Sequence, residues 1–236
     1  MLKKLFLASL LVSICAALSF AQDETEVSFD EAALPRTADA VEKFVPSGWL
    51  IEAKVSGDLN KDSVTDVALK LIEKPAAGDD KDNPAERARI LMVLFGSQKG
   101  AFERMATAKK LLQCTRCGGA FYGVVEAPAE VEITKGVLIA KQDGGSRNVV
   151  ETTFRFRYDA NAKRFALIGY DMTDRDRATG ETIVESTNYL TGVKTSETFQ
   201  YNKKLDKEIK NSSRKTKVPT KPQYLENVNY ETFGSN

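Results

Sequence analysis

Short runs of strand length, separated by turn signals, recur along this chain. At the roughly 8–12-residue spacing of a meandering antiparallel sheet they constrain its fold more than any other feature. In the second half, Val131-Glu132-Ile133-Thr134 and Val137-Leu138-Ile139-Ala140 flank Lys135-Gly136 as a hairpin should. Asp143-Gly144-Gly145-Ser146 is the next turn. Thr152 to Tyr158 then alternates aromatic and polar side chains with period two, the signature of a half-buried strand. Asp159 to Ala162 turns the chain into Arg164–Tyr170. A charged loop at 171–181 leads to Ile183–Leu190, and Thr191 to Lys194 leads to Thr195–Tyr201.

The first half carries denser apolar runs. Trp49–Val55 and Asp66–Glu73 read as strands, and Arg89–Phe95 reads as a buried one, because glycines close it and its length is too short for a core helix. Ala106–Leu112 fits helix or strand equally. Thr37 is placed to cap a short helix with Val41, Phe44 and Val45 on one face, ending before Pro46. The expected fold is therefore mainly β. It is an antiparallel meander, or a partial-propeller-like curled sheet in preference to a sandwich, with a short N-terminal helix.

Residues 1–21 read as a signal peptide: Lys3 and Lys4 start it, Leu5 to Phe20 is uncharged, and Ser19-Phe20-Ala21 presents small residues at −3 and −1. Lipidation at Cys15 is the alternative, disfavoured because Ile14 stands where a small residue belongs. A periplasmic or secreted location follows. Residues 22–36 read as a flexible, acidic lead, and 37–236 as a single mainly-β domain with a basic segment at 203–221. No second long apolar run is present, so the chain is not expected to span a membrane.

Charge and composition exclude several functions. Without Lys3 and Lys4 the balance is 32 basic to 33 acidic residues, which gives no field for steering onto nucleic acid. The basic segment 203–221 lacks the interleaved aromatics of single-strand binders and reads as a solvated surface. Histidine is absent, which removes Ser-His-Asp and Cys-His catalysis and the commonest general base. No catalytic motif remains, and the chain is read as a non-enzyme. Its partner is expected to be an unknown protein or glycan.

Two features carry chemistry. Between the runs at 49–55 and 67–72, Gly57-Asp58-Leu59-Asn60-Lys61-Asp62-Ser63-Val64-Thr65-Asp66 supplies Asp58, Asn60, Asp62 and Asp66 at positions 1, 3, 5 and 9, with the Val64 carbonyl at 7. Hard cations take six to eight oxygens from such spacing, so calcium is the expected ion. Leu69 stands where an EF-hand closes with a bidentate Glu, and Ser63 where it has glycine, so an EF-hand is not expected. A polar turn without metal competes with this reading, since Asp, Asn and Ser dominate strand connections. Cys114 and Cys117 are expected to form a local disulfide rather than a redox site, because Gly118-Gly119 follows where a redox helix would begin. A periplasmic thiol–disulfide component using this pair is the alternative function.

The segments Gly57 to Leu69 and Leu91-Met92-Val93-Leu94-Phe95-Gly96-Ser97-Gln98-Lys99-Gly100-Ala101-Phe102 resemble one FG-GAP/VCBS-type repeat, the unit of integrin-like propellers built around a cation-holding Asp loop. Pro46-Ser47-Gly48-Trp49, Cys117-Gly118-Gly119, Gly144-Gly145-Ser146, Phe154 to Tyr158, Leu167-Ile168-Gly169 and Asn188 to Gly192 are similar to small exported bacterial proteins of unassigned function. The resemblance spans most of 44–201. It implies Asp58, Asn60, Asp62, Asp66 and the Val64 carbonyl as cation ligands. One such loop does not make a whole propeller. The expected function is an exported, non-enzymatic protein with a structural calcium loop, serving as a binding module.

Overall fold

A computed structural model describes residues 29–80 and 82–234. The expected signal peptide lies outside them. The described chain is built from twelve antiparallel strands in two sheets. The first sheet contains β1 (Thr37–Ala38), β2 (Trp49–Gly57), β3 (Asp66–Glu73), β4 (Arg89–Gly96) and β5 (Phe102–Ala108), in the order β1-β5-β4-β3-β2. The second is an uninterrupted meander of β6 (Ala129–Thr134), β7 (Val137–Gly145), β8 (Asn148–Asp159), β9 (Arg164–Asp176), β10 (Glu181–Asn188), β11 (Val193–Asn202) and β12 (Lys207–Lys217).

The near-continuous apolar character of β3 and β4 has a direct cause: both faces of their sheet are covered. Ala68, Leu91, Val93 and Ala106 point to the second sheet, where Leu138, Phe154, Phe156 and Phe165 meet them in one core. Leu69, Leu71, Met92 and Leu94 face the other way, onto Val41, Phe44 and Trp49. A strand buried on both sides loses the alternation that marks a strand with one wet face. The single curled sheet expected from the sequence is thus corrected to two sheets sharing a core. The period-two strand β8 has one buried face, Phe154 and Phe156, and an outer face carrying Arg155 and Arg157.

The expected N-terminal helix is absent. Thr37 pairs with Glu103 in a two-residue strand, and Val41–Phe44 is a single 3-10 turn with no side-chain cap. Pro46 leaves no room for a longer helix, and one turn at i, i+3 already buries Val41 and Phe44. Residues 29–36, read as part of a loose lead, pack instead. Phe29 meets Trp49 edge-on with ring centroids 5.3 Å apart, and Leu34 joins the same cluster. The charged stretch 171–176, read as loop, continues β9, its Asp171 paired with Arg155 and Asp176 with Arg147. The basic segment contains β12, an exposed edge strand whose lysines discourage pairing with another chain.

The two sheets do not match in width. β2 lies against β6 and β5 against β9, so β10, β11 and β12 overhang the first sheet. The C-terminal tail folds back across part of that overhang: Leu225 and Val228 enter the core, and Phe233 packs on Phe154 and Tyr170.

Candidate functional site

The Asp loop joins β2 to β3 and is anchored at both ends. Leu59 is buried in the core between the sheets. Asp66 is fully buried, and its carboxylate accepts three backbone N–H groups: Leu59 at 2.8 Å and Asn60 at 3.3 Å on Oδ2, and Gly96 at 3.0 Å on Oδ1. Burial pushes the Asp66 carboxyl above its ordinary pKa, with the three N–H groups working against that shift. Gly96 completes the anchor, because a Cβ there would stand 2.2 Å from the Thr65 carbonyl oxygen.

Between the anchors the side chains organise the loop's own backbone. Asp58 accepts N–H from Lys61 at 2.6 Å and from Ser63 at 3.0 Å. Asn60 Oδ1 accepts the Asp62 N–H at 3.0 Å, while Asp62 accepts the Val64 N–H at 2.8 Å and the Asn60 amide at 2.9 Å. Lys61 and Ser63 are left-handed at φ 66° and 67°. Ser63 therefore takes the conformation for which such loops favour glycine, and bears the steric cost of it.

The loop's side chains border two separate hollows. Asp58 borders a hollow with Lys61, Ile133 and Gly136, while Asn60 and Asp62 border another with Gly96, Ser97 and Glu103. Among the described residues, the trio of His, Cys, Asp or Glu side chains with ligand atoms within 4.8 Å of one another is Glu86, Cys114 and Cys117, not the loop aspartates. The loop carboxylates and the Asn60 amide are thus engaged with backbone and side-chain N–H groups of the loop and of Gly96.

Cys114 and Cys117 are joined as a disulfide, with Cα atoms 5.0 Å apart. The bridge lies in the crossing between the sheets, where Gln113 and Gln142 satisfy the buried backbone. Gln142 Oε1 accepts the Gln113 N–H at 2.9 Å, and Gln113 Nε2 donates to the carbonyls of Pro128 and Asp143 at 2.6 and 2.8 Å. The Glu86 carboxylate lies within 4.8 Å of the sulfurs.

A third feature escaped the sequence. On the overhang, Tyr170 and Met172 of β9, Glu185 of β10, Tyr189, Lys194 of β11 and Phe233 of the tail line a groove of about 860 Å³. Lys194 Nζ lies 2.7 Å from Glu185. Burial pushes the Tyr170 hydroxyl up to about 12 and raises that of Tyr189, and no hydrogen bond contributes to either shift. The residues come from four segments and share no motif. No sequence signal marked it, because the groove depends on a seven-stranded sheet packing against a five-stranded one, and its last strand lies in the basic segment read as solvated surface.

No family model, curated protein or solved structure matches this chain.

Proposed function

We propose that this protein is an exported, non-enzymatic binding module whose Asp58–Asp66 loop is a structural element that takes calcium weakly. The observation that carries the loop's part is its backbone. Two left-handed residues, at positions 4 and 6 of the loop, hold Asp58, Asn60 and Asp62 in a tight turn anchored on Asp66. A cation would be held by Asp58, Asn60, Asp62 and the Val64 carbonyl, with Asp66 contributing while still bonded to the backbone. Calcium must then compete with N–H groups that already compensate the carboxylates. The expected affinity is on the order of 10⁻⁴ to 10⁻³ M, as in extracellular modules. β2–β5 form a four-strand antiparallel unit with this loop between its first two strands, which supports reading them as one blade-like repeat.

The binding part rests on the overhang, where a half-open groove with aromatic and polar walls has the form of a ligand site. Thermal unfolding with and without millimolar calcium tests the loop. The native protein should melt higher with calcium, by the amount that binding to the folded state predicts. Asp58→Ala/Asp62→Ala should lose that shift. No shift in the native protein, with no heat of binding, would reduce the loop to a metal-free turn.

A further inference from the structure

We propose that the overhang groove between β9–β11 and the C-terminal tail binds a short acidic oligosaccharide, one whose sugar rings carry carboxylates. The inference extends the binding-module reading to a ligand class and does not depend on calcium in the Asp loop.

The groove offers what a sugar chain needs. Tyr189 and Phe233 are half-buried, so aromatic surface is available against the C–H face of a sugar ring without a deep apolar pit that would favour a lipid. The hydroxyls of Tyr170 and Tyr189 sit in desolvated surroundings with no hydrogen bond contributing to their raised pKa. A polyol could hydrogen-bond both hydroxyls from the groove. Asn227, Asn229 and Gln223 add amides along the tail side, each able to donate and accept. Such a mixture of ring faces and two-way hydrogen-bonding groups suits hydroxyls that themselves donate and accept.

Charge selects among sugars. The groove's lining contains Lys194 and Lys221 against one carboxylate, Glu185. Cross-strand register adds a further cation: Met172 stands opposite Glu185, Glu185 opposite Ser196, and Ser196 opposite Arg214, so Arg214 shares the groove's face at the sheet edge. The result is a positive rim around an ion pair. A ligand carboxylate meeting Lys194 would share it with Glu185, with Lys221 also lining the groove and Arg214 on the same face of the sheet. The volume, about 860 Å³, falls within the range of small-ligand sites.

The test is titration of the full chain with tetragalacturonate, and with maltotetraose as the uncharged comparator, followed by calorimetry and by NMR of the Tyr189 and Phe233 rings. Tetragalacturonate is expected to bind, to shift those ring resonances, and to weaken as salt screens the exposed cations. Lys194→Gln and Tyr189→Ala should each weaken it by about tenfold, a loss of about 1.4 kcal/mol. Lys141→Gln, on the opposite face of the sheet, should leave it unchanged. Circular dichroism guards against misfolding, and Lys194→Gln, which removes a charge and its ion pair with Glu185 but no aromatic packing, carries the test if Tyr189→Ala fails to fold. Absence of tetragalacturonate binding, equal binding of maltotetraose, or binding indifferent to Lys194→Gln would overturn the proposal. None of these outcomes alters the calcium-dependent melting shift that tests the Asp loop.

Discussion

At the scale of single residues, position 66 separates structure from ligand chemistry. The sequence places four oxygen-bearing side chains in one loop with nothing to distinguish them, and only burial shows that Asp66 differs from the rest. Its two oxygens collect N–H groups from the loop itself and from Gly96 on the neighbouring strand, so it joins β2, β3 and β4. Asp58, by contrast, bonds only exposed N–H groups of its own turn. Asp66→Asn would turn an amide NH₂ toward backbone donors and leave at least one buried N–H unpaired. We expect a loss of about 1–3 kcal/mol. Asp58→Ala without calcium should cost less than about 1 kcal/mol, since water replaces its bonds. Urea unfolding of the two variants measures the difference, and equal costs would contradict the anchor role.

At the scale of elements, the polar group of most consequence also lies outside any motif. Arg89 opens β4 with its side chain 3 % exposed. It donates to both oxygens of Glu52, at 2.9 and 3.1 Å, and to the carbonyls of Ala127 and Gln113, at 2.8 and 3.4 Å. Glu52 reaches it because β2 bulges between Ile51 and Ala53, which re-aims the intervening side chain. Lys70 completes the cluster, 3.4 Å from Glu52 and bonded to the Ala129 carbonyl at 2.6 Å. Burial lowers the pKa of its ammonium, and Glu52 works against that. The cluster ties the first sheet to the first strand of the second. Arg89→Met would strip Glu52 of its main partner and orphan two carbonyls, for an expected loss of about 3–5 kcal/mol. A double-mutant cycle with Glu52→Gln should show coupling of at least about 1 kcal/mol, and additive costs would show that the two act separately.

Most strands were legible because each announces itself locally. The limits of β3, and the hairpin of β6 and β7, follow directly from apolar runs and glycine turns. What was not legible depends on partners distant in sequence. The 3-10 turn at Val41–Phe44 reflects the pairing of Thr37 with β5, which no local helix signal encodes. The continuation of β9 through Asp171–Asp176 hid behind charges that are neutralised across strands by Arg155 and Arg147. The Asp loop and the cysteine pair were visible as candidates. Their surroundings, a stapled Asp66 and a carboxylate beside the sulfurs, were not, and neither was the groove that four separate segments build.

At the scale of the whole molecule, tyrosines report the integrity of the packing between sheets, crossing and tail. Tyr170 lies at the core edge beside Phe154 and Phe233, Tyr230 joins the tail to the crossing through its N–H to Lys110, and Tyr122 donates its hydroxyl to Asp143 at 2.6 Å. Burial, the first cause in each case, pushes all three hydroxyls up to about 12. An unfolded tyrosine ionises near pH 10. The folded state therefore holds these protons more tightly than the unfolded state does, and stability must decline as pH rises through that interval. The contribution is complete below pH 10 and is lost progressively toward pH 12. We expect phenolate absorbance to show a late-titrating class that merges with cooperative unfolding, and to revert to one ordinary transition in denaturant. Tyr170→Phe should remove part of the late class and flatten the alkaline decline in melting temperature, because its hydroxyl has no hydrogen bond to lose. If every tyrosine in the native protein ionised near pH 10, the tail would not be seated on the overhang as the structure places it.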